Sequence, residues 1–82
     1  MFSKELFGQR LRELRKQKKE TQSDLAIVLG LKKAQICEME IGNSSTTLEK
    51  LALICEHYKV SADYLLGLSD DPTTHPSDGE QV

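Results

Sequence analysis

Residues 21–42 read TQSDLAIVLGLKKAQICEMEIG, and the spacing of their apolar residues predicts two short helices joined by a tight turn. Thr21 and Asp24 have the spacing of a capping box, which begins a helix by satisfying its first backbone N–H groups. Gly30 suits the left-handed position at which helices end, and a second helix follows at about residues 32–41. Because so little chain joins them, the two helices must pack against each other at an angle.

Three more helices are predicted around this pair, at residues 4–19, at residues 48–58 and after Ser61. Ser3 and Ser61 are placed to cap the first and the last of them. No run of alternating β-branched residues indicates a strand, so the chain is predicted to be all-α, a compact bundle of five helices. The apolar residues expected to form the inner helix faces are Phe7, Leu11, Leu14, Ile36, Met39, Leu48, Leu51, Ile54, Cys55 and Tyr58.

Charge is unevenly distributed along the 82 residues. Residues 1–33 contain nine Lys or Arg and four acidic residues, whereas residues 34–68 contain two and five. The remaining segment contains four acidic residues, no Lys or Arg, and both prolines of the chain. The net charge of -2 therefore hides a basic N-terminal half. We predict one folded domain over residues 1–68 and a flexible acidic tail over residues 69–82.

Other classes of protein are excluded by what the sequence lacks. No apolar stretch approaches the roughly 20 residues that span a bilayer, and the N-terminus does not resemble a secretion signal, so a cytoplasmic protein is expected. Cys37 and Cys55 are too few for a disulfide framework and are expected to be reduced. They lack metal-ligand spacing and His57 is expected to be an exposed helix residue, so no metal or cofactor is predicted. No nucleophile, adjacent base or small-molecule pocket is evident, so no enzyme is expected.

The predicted helix pair follows a basic amphipathic helix, which is the arrangement of a helix-turn-helix. The second helix of such a pair can enter the major groove of DNA, about 12 Å wide, if its outer face is narrow and polar. The helix before it can direct its free backbone N–H groups at a phosphate. Lysines at the start of the second helix oppose its dipole, which favours an anionic partner. Residues 21–42 are therefore predicted to bind double-stranded DNA.

A set of separately spaced residues strengthens this prediction because together they match one known pattern. The set is Phe7-Gly8, Leu14-Arg15, Thr21-Gln22, Leu25-Ala26, Leu29-Gly30-Leu31, Ile36, Glu40, Gly42 and Val60-Ser61. In this pattern the chain resembles the phage repressor and Cro family, the lambda-repressor-like or Xre-type regulators, over about residues 7–68. The resemblance implies sequence-specific DNA binding and transcriptional regulation, with the helix at residues 32–41 as the recognition helix.

The resemblance also implies roles for residues that position the domain on DNA. Gln22 matches a glutamine that clamps a backbone phosphate at the start of the second helix. Asn43 and Ser44 match a loop that contacts phosphate after the recognition helix. Arg15 and Glu40 match a partly buried ion pair that ties the first helix to the end of the third, so Arg15 is expected to be structural.

A second group matches positions that meet base edges. Lys32, Lys33 and Ala34 match the start of the recognition helix, and Lys33 can donate to O6 and N7 of guanine. Glu38, one turn further along, either accepts a hydrogen bond from N4 of cytosine or weakens binding through its negative charge. Cys37 lies on the same helix, and a redox-sensitive contact there stays open.

The chain is further predicted to bind as a homodimer on a roughly palindromic site, with its recognition helices about 34 Å apart. Dimer contacts are expected from the last helix, which has more apolar residues than its own core needs. These residues are Tyr64, Leu65, Leu66 and Leu68. An alternative function is a protein-interaction module, antitoxin-like or an anti-repressor partner, that uses the same fold while Glu38 and Ile41 weaken its DNA face.

Overall fold

The computed structural model describes residues 2–74 of the chain. Over this range it contains five α-helices and no strand, which confirms the predicted all-α, five-helix bundle. The helices are α1 (Lys4–Gln17), α2 (Gln22–Leu29), α3 (Lys33–Glu40), α4 (Leu48–Tyr58) and α5 (Ala62–Leu66).

Short hydroxyl side chains begin four of these helices. The predicted caps Ser3, Thr21 and Ser61 are confirmed, since each hydroxyl accepts a hydrogen bond from a backbone N–H in the first turn. Thr47 does the same for α4. The helix starts are therefore fixed locally, by residues that lie next to them in the sequence.

The hydrophobic core lies where α1 and α2 pack against α3, and α4 and α5 close its other side. Gly8 allows α1 to approach α3 closely, because a Cβ atom there would lie 2.3 Å from the carbonyl oxygen of Met39. This close approach fixes the end of α3 against α1. The buried apolar side chains are Phe7, Leu11, Leu14, Leu25, Ala26, Leu29, Ile36, Met39, Ile54, Val60 and Leu65.

Two expectations about apolar residues are wrong. Leu48 is 83% exposed rather than part of the inner face, because α4 begins at this residue, outside the core. Leu65 belongs to the core with 0% exposure, so its side chain is not available to a partner molecule. Leu51 and Tyr58 follow the expected face of α4, although they are only partly buried against the core.

The segment after α5 returns to the folded bundle. The guanidinium of Arg10 donates to the carbonyl oxygens of Tyr64 and Ser69 and lies 2.8 Å from a carboxylate oxygen of Asp70. The backbone N–H of Ser61 donates to the carbonyl oxygen of Pro72 at 3.0 Å. Part of the predicted tail is thus held against α1 and α5, while residues 75–82 lie outside the described range. The boundary between domain and tail stays a prediction.

Within residues 2–74, no helix combines the length and the apolar character that crossing a bilayer requires.

Candidate nucleic-acid interface

The turn between α2 and α3 is closed by backbone hydrogen bonds. Gly30 adopts a left-handed φ of 66°, and the N–H groups of Gly30 and Leu31 return to the carbonyl oxygens of Ile27 and Ala26 at 3.3 and 2.9 Å. This pattern satisfies the last carbonyl groups of α2 and turns the chain sharply. Because the turn is closed and the core packs both helices, α3 is held at a fixed angle to α2.

A capping box at Thr21 fixes the other end of α2. The hydroxyl of Thr21 accepts from the N–H of Asp24 at 3.1 Å, and the carboxylate of Asp24 accepts from the N–H of Thr21 at 2.9 Å. The hydrogen bonds with Thr21, first that to its backbone, lower the pKa of Asp24 below its ordinary value. Gln22, the first residue of α2, is therefore placed by a well-formed helix start.

The start of α3 carries the residues predicted to meet base edges. Lys32, Lys33 and Ala34 are all exposed, while Ile36 points into the core. Lys32 has no hydroxyl to cap the helix, and the side-chain oxygen of Gln35 instead accepts from the N–H of Lys32 at 2.8 Å. This bond is one half of a capping box, and it matches the spacing of three residues between Lys32 and Gln35. The first turn of α3, next to its two lysines, therefore has a defined geometry.

A buried ion pair lies directly behind this surface. Arg15 Nε is 2.6 Å from Glu40 Oε2, Arg15 Nη2 is 3.0 Å from Glu40 Oε1, and only 2% of the Glu40 side chain is exposed. The hydrogen bond to Glu40 raises the pKa of Arg15 despite its burial. Gln22 Nε2 donates to Glu40 Oε1 at 3.1 Å. One hydrogen on Nε2 is used in this way, and the other can be donated to a second acceptor.

A loop with a regular geometry follows α3. Gly42 adopts a left-handed φ of 87°, its N–H donates to the carbonyl oxygen of Met39 at 3.3 Å, and the N–H of Asn43 donates to that of Glu38 at 3.0 Å. These two bonds form a Schellman motif. The side-chain Nδ2 of Asn43 also donates to Glu38 Oε2 at 2.8 Å. Asn43 is therefore joined to Glu38 by both its backbone and its side chain.

An open groove of about 580 Å³ separates α3 from this loop. Ala34, Glu38, Asn43 and Ser44 line it, so four of the residues predicted to contact DNA share one concave surface. Lys50 of α4 also lines this groove. The sequence analysis missed Lys50 because the residue belongs to a separate helix and only the fold brings it to this surface.

A polar cluster on α4 supports the entry to α2. Contrary to expectation, His57 is largely covered: 20% of its side chain is exposed and its Nε2 lies 2.6 Å from Glu20 Oε2. Tyr58 donates its hydroxyl to Glu20 Oε1 at 2.7 Å, and Arg15 Nη1 donates to the Glu20 carbonyl oxygen at 2.7 Å. The cluster ties α4 to the segment that precedes Gln22.

The pKa values of Glu20 and Tyr58 are shifted in opposite directions. Burial alone would raise the pKa of Glu20, but the hydrogen bonds from Tyr58 and His57 outweigh it and lower the pKa below 4.5. Burial, with the hydrogen bond to Glu20 and its negative charge, raises the pKa of Tyr58. Glu20 is therefore ionised and Tyr58 neutral near pH 7, which suits the donor and acceptor roles in the structure.

Both cysteines are free thiols, and Cys37 is half-buried on α3. Burial, followed by the charge of Glu56, raises the pKa of Cys55. Residues 2–74 contain no group of three or more His, Cys, Asp or Glu placed to hold a metal ion.

Two short helices are joined by a closed turn, and the second exposes lysines at its start and bonds to Gln22 and Asn43 near its end. This arrangement defines a helix-turn-helix DNA-binding protein. A family model described as a helix-turn-helix domain matches residues 6–72. The chain belongs to this family of helix-turn-helix transcriptional regulators, and the resemblance to phage repressors is confirmed.

Individual relatives agree with this family assignment. The chain is 42% identical over 67 residues to the HTH-type transcriptional regulator YobD of Bacillus subtilis strain 168, covering 82% of this chain and 60% of that protein. The restriction-modification controller protein C.AhdI of Aeromonas hydrophila is 31% identical with a TM-score of 0.68, over 76% of this chain and 94% of that one. The P22 c2 repressor, solved in complex with a synthetic operator, is 31% identical with a TM-score of 0.71, over 74% and 92%.

One enzyme shares the fold. Hydroxypropylphosphonic acid epoxidase from S. wedmorenis has a TM-score of 0.71 and 26% identity, over 79% of this chain but only 35% of the enzyme. The likeness therefore concerns a minor part of that enzyme, while the matches to the controller protein and the repressor span nearly their whole chains. The family is one of regulators.

Proposed function

We propose that this regulator binds a specific, roughly palindromic DNA sequence as a homodimer in the cytoplasm, with α3 in the major groove. One observation carries the proposal: α3 exposes lysines at its start, and two side-chain amides are each hydrogen-bonded to a glutamate near its end. Gln22 is held by Glu40 and Asn43 is held by Glu38. Lysines can donate to base edges, and amide donors held beside the same helix can donate to the phosphates that flank those bases.

The contacts with phosphate come from the two edges. Gln22 stands at the N-terminus of α2, where the backbone N–H groups and the helix dipole also favour an anion. Asn43 and Ser44 contact the opposite strand, and Lys50 adds a cation on the same side of the groove. These contacts fix the register of the domain on the duplex and carry no base preference themselves.

The contacts with bases come from the first turn of α3. Lys33 donates to O6 and N7 of guanine, while Lys32 and Ala34 lie against neighbouring base edges. Ala34 has only a methyl group, so it permits a close approach of the helix and an apolar contact with a thymine methyl group.

The dimer forms through the exposed side of α5 and the residues that follow it. Leu68 is 70% exposed, and Tyr64 and Leu66 are partly exposed, so these three replace the set that included the buried Leu65. Sedimentation with and without DNA tests this part of the proposal. Leu68→Asp should weaken dimers in the absence of DNA, whereas Ile27→Asp, at an 80% exposed position of α2, should not. A strict monomer in both conditions would contradict the dimer.

The DNA-binding unit extends beyond the boundary predicted from composition. Arg10 and Ser61 bond to the chain at Ser69, Asp70 and Pro72, so we include residues 69–72 in the folded unit. The acidic tail then comprises the residues that follow.

Selection from a random duplex library tests the function as a whole. The expected product is a motif with two related half-sites, bound by two chains, with an affinity that falls steeply with salt because counterions are released from the contacted phosphates. A scrambled duplex of the same length serves as the control. If no motif is enriched and the chain ignores DNA at low salt, sequence-specific binding is refuted and the protein-interaction module becomes the better account.

A further inference from the structure

We infer that Glu38, held by Asn43, reads a cytosine in the major groove and so determines specificity at a second position of the site. This inference rests on the proposed DNA binding and adds the identity of a base. The sequence leaves two roles open for Glu38, because an acidic side chain near DNA can accept from a base or simply repel phosphate.

The structure distinguishes these roles through the way Glu38 is held. Asn43 follows Gly42 in the Schellman motif that ends α3, so its position relative to Glu38 is set by backbone hydrogen bonds. From that position Asn43 Nδ2 donates to Glu38 Oε2 at 2.8 Å, although both side chains are exposed. A carboxylate that acted only by repulsion would not need a fixed orientation. A carboxylate that reads a base does, because a hydrogen bond weakens steeply when it is misaligned.

The position of Glu38 on α3 also suits base contact. Ala34 and Glu38 are four residues apart, so they lie on the same face of the helix, and both line the groove that opens beside the recognition surface. Lys33 begins the same helix five residues before Glu38, so the two side chains lie about 140° apart around the helix axis. Glu38 therefore shares a face of α3 with Ala34, which the proposed function places against a base edge next to the guanine.

The chemistry of a carboxylate selects the base. Ionised Glu38 can only accept hydrogen bonds, and its two oxygens offer about four acceptor sites, of which Asn43 uses one. Guanine and thymine present acceptors on their major-groove edges and would repel it. Adenine presents an amino group beside the acceptor N7, whereas cytosine presents the N4 amino group without an adjacent acceptor. Cytosine is therefore the base that a fixed carboxylate fits best.

Removing the negative charge of Glu38 should have two separate effects on DNA binding. Removing the Glu38 charge lowers repulsion from phosphates, so binding to random DNA should become tighter. The same change should remove the preference for cytosine at one position of each half-site. A carboxylate that only repels would produce the first effect without the second.

The test compares selections with the wild type, Glu38→Ala and Asn43→Ala. The wild type should enrich cytosine at one position in each half-site, with a preference of about tenfold over the other bases. Glu38→Ala should lose this preference and keep the guanine expected from Lys33. Asn43→Ala should reduce the preference while Glu38 is still present, since the carboxylate is no longer held. Glu56→Ala, which removes an exposed charge from α4, is the matched control and should leave every position unchanged.

A chemical substitution then tests the amino group itself. The selected cytosine is replaced by 2-pyrimidinone, which lacks the N4 amino group, and both duplexes are titrated with the wild type and with Glu38→Ala. Both proteins lose some affinity because the modified base pair is weaker, and the loss of Glu38→Ala measures this effect. The wild type should lose about tenfold more affinity than Glu38→Ala does. Equal losses, or an unchanged motif for Glu38→Ala, would overturn the inference and leave DNA binding intact. An absence of any motif for the wild type would instead contradict the proposed function.

Discussion

The two edges of the α2–α3 surface are built in different ways. At the α2 edge, Gln22 bonds to Glu40, whose side chain is 2% exposed and paired with Arg15. At the loop edge, Asn43 bonds to Glu38, and both residues are exposed. At the first edge, a change at Glu40 would disturb the packing of α1 against α3. The second can change while the fold is kept.

This difference points to separate roles for the two edges in DNA binding. In the proposed complex, a buried network holds the phosphate contact of Gln22, so the core would set the angle at which the domain approaches DNA. The exposed pair holds Glu38, the side chain that we infer to select a base. Substitutions should therefore affect stability on the α2 side and selectivity on the loop side, and the predictions below test that division.

The largest effect is expected for Arg15→Ala. This change leaves the carboxylate of Glu40 buried without its partner and should lower the free energy of unfolding by about 3–5 kcal/mol. Arg12→Ala removes an exposed arginine from the same helix and should change it by less than about 0.5 kcal/mol. Denaturant titrations of both variants provide the measurement. Similar small losses in the two would mean that the pair is not a buried support.

Gly8→Ala is expected to have the next largest effect. The added methyl group would lie 2.3 Å from the Met39 carbonyl oxygen and 2.7 Å from that of Glu40, so α1 and α3 would have to separate. We expect a loss of about 1–3 kcal/mol, measured by thermal or denaturant unfolding. Gln9→Ala, at the exposed neighbouring position, is the control. If the two variants unfold alike, the close contact between α1 and α3 is not required.

Lys33→Ala should leave the fold unchanged and weaken binding to the selected DNA by about 1–3 kcal/mol, with relaxed preference at one base position. Its effect on random DNA should be small. Lys59→Asn removes a charge from the left-handed end of α4, a conformation that Asn tolerates, and should not alter base preference. Titrations with selected and scrambled duplexes measure both. An equal loss on both duplexes would show that Lys33 contacts only the backbone.

The smallest effect concerns Glu20, and it depends on pH. Since folding lowers the pKa of Glu20 below 4.5, its ionised form stabilises the native state above pH 4.5, and this contribution is lost as the pH falls through the lowered pKa. Glu20→Gln should lower the free energy of unfolding by about 1 kcal/mol at neutral pH. It should also make that free energy fall less as the pH is lowered. Unfolding free energies between pH 6 and pH 3, with Glu13→Gln as the exposed control, test the sign. A steeper acid loss in Glu20→Gln would contradict it.

The local features of the fold could be predicted from sequence because local physics determines them. Ser3, Thr21 and Ser61 cap helices through bonds to residues three positions away. The αL residue Gly30 ends α2 where the chain turns back to the carbonyl oxygens of Ala26 and Ile27 in the same helix. Apolar spacing then placed most core residues correctly, although it could not show that Leu48 begins its helix beyond the edge of the core.

The features that sequence reasoning missed join residues far apart in the chain. Glu20 meets His57 and Tyr58 across 37 and 38 positions, and nothing in the spacing of these residues indicates the cluster. Arg10 likewise meets Asp70 only after α5 has packed against α1. The pairing of Gln22 with Glu40 required the fold as well, even though the resemblance had pointed to each residue separately.

The most direct test of the central claim is to record the backbone amide NMR spectrum of the labelled chain while the selected duplex is added. The account predicts that the largest changes fall at Gln22, at residues 32–34 and at Asn43 and Ser44. Little change is expected at Leu53 of α4 or at Lys59, which follows that helix. Changes concentrated on α4, with the start of α3 unaffected, would contradict the claim that the α2–α3 surface is the face that binds DNA.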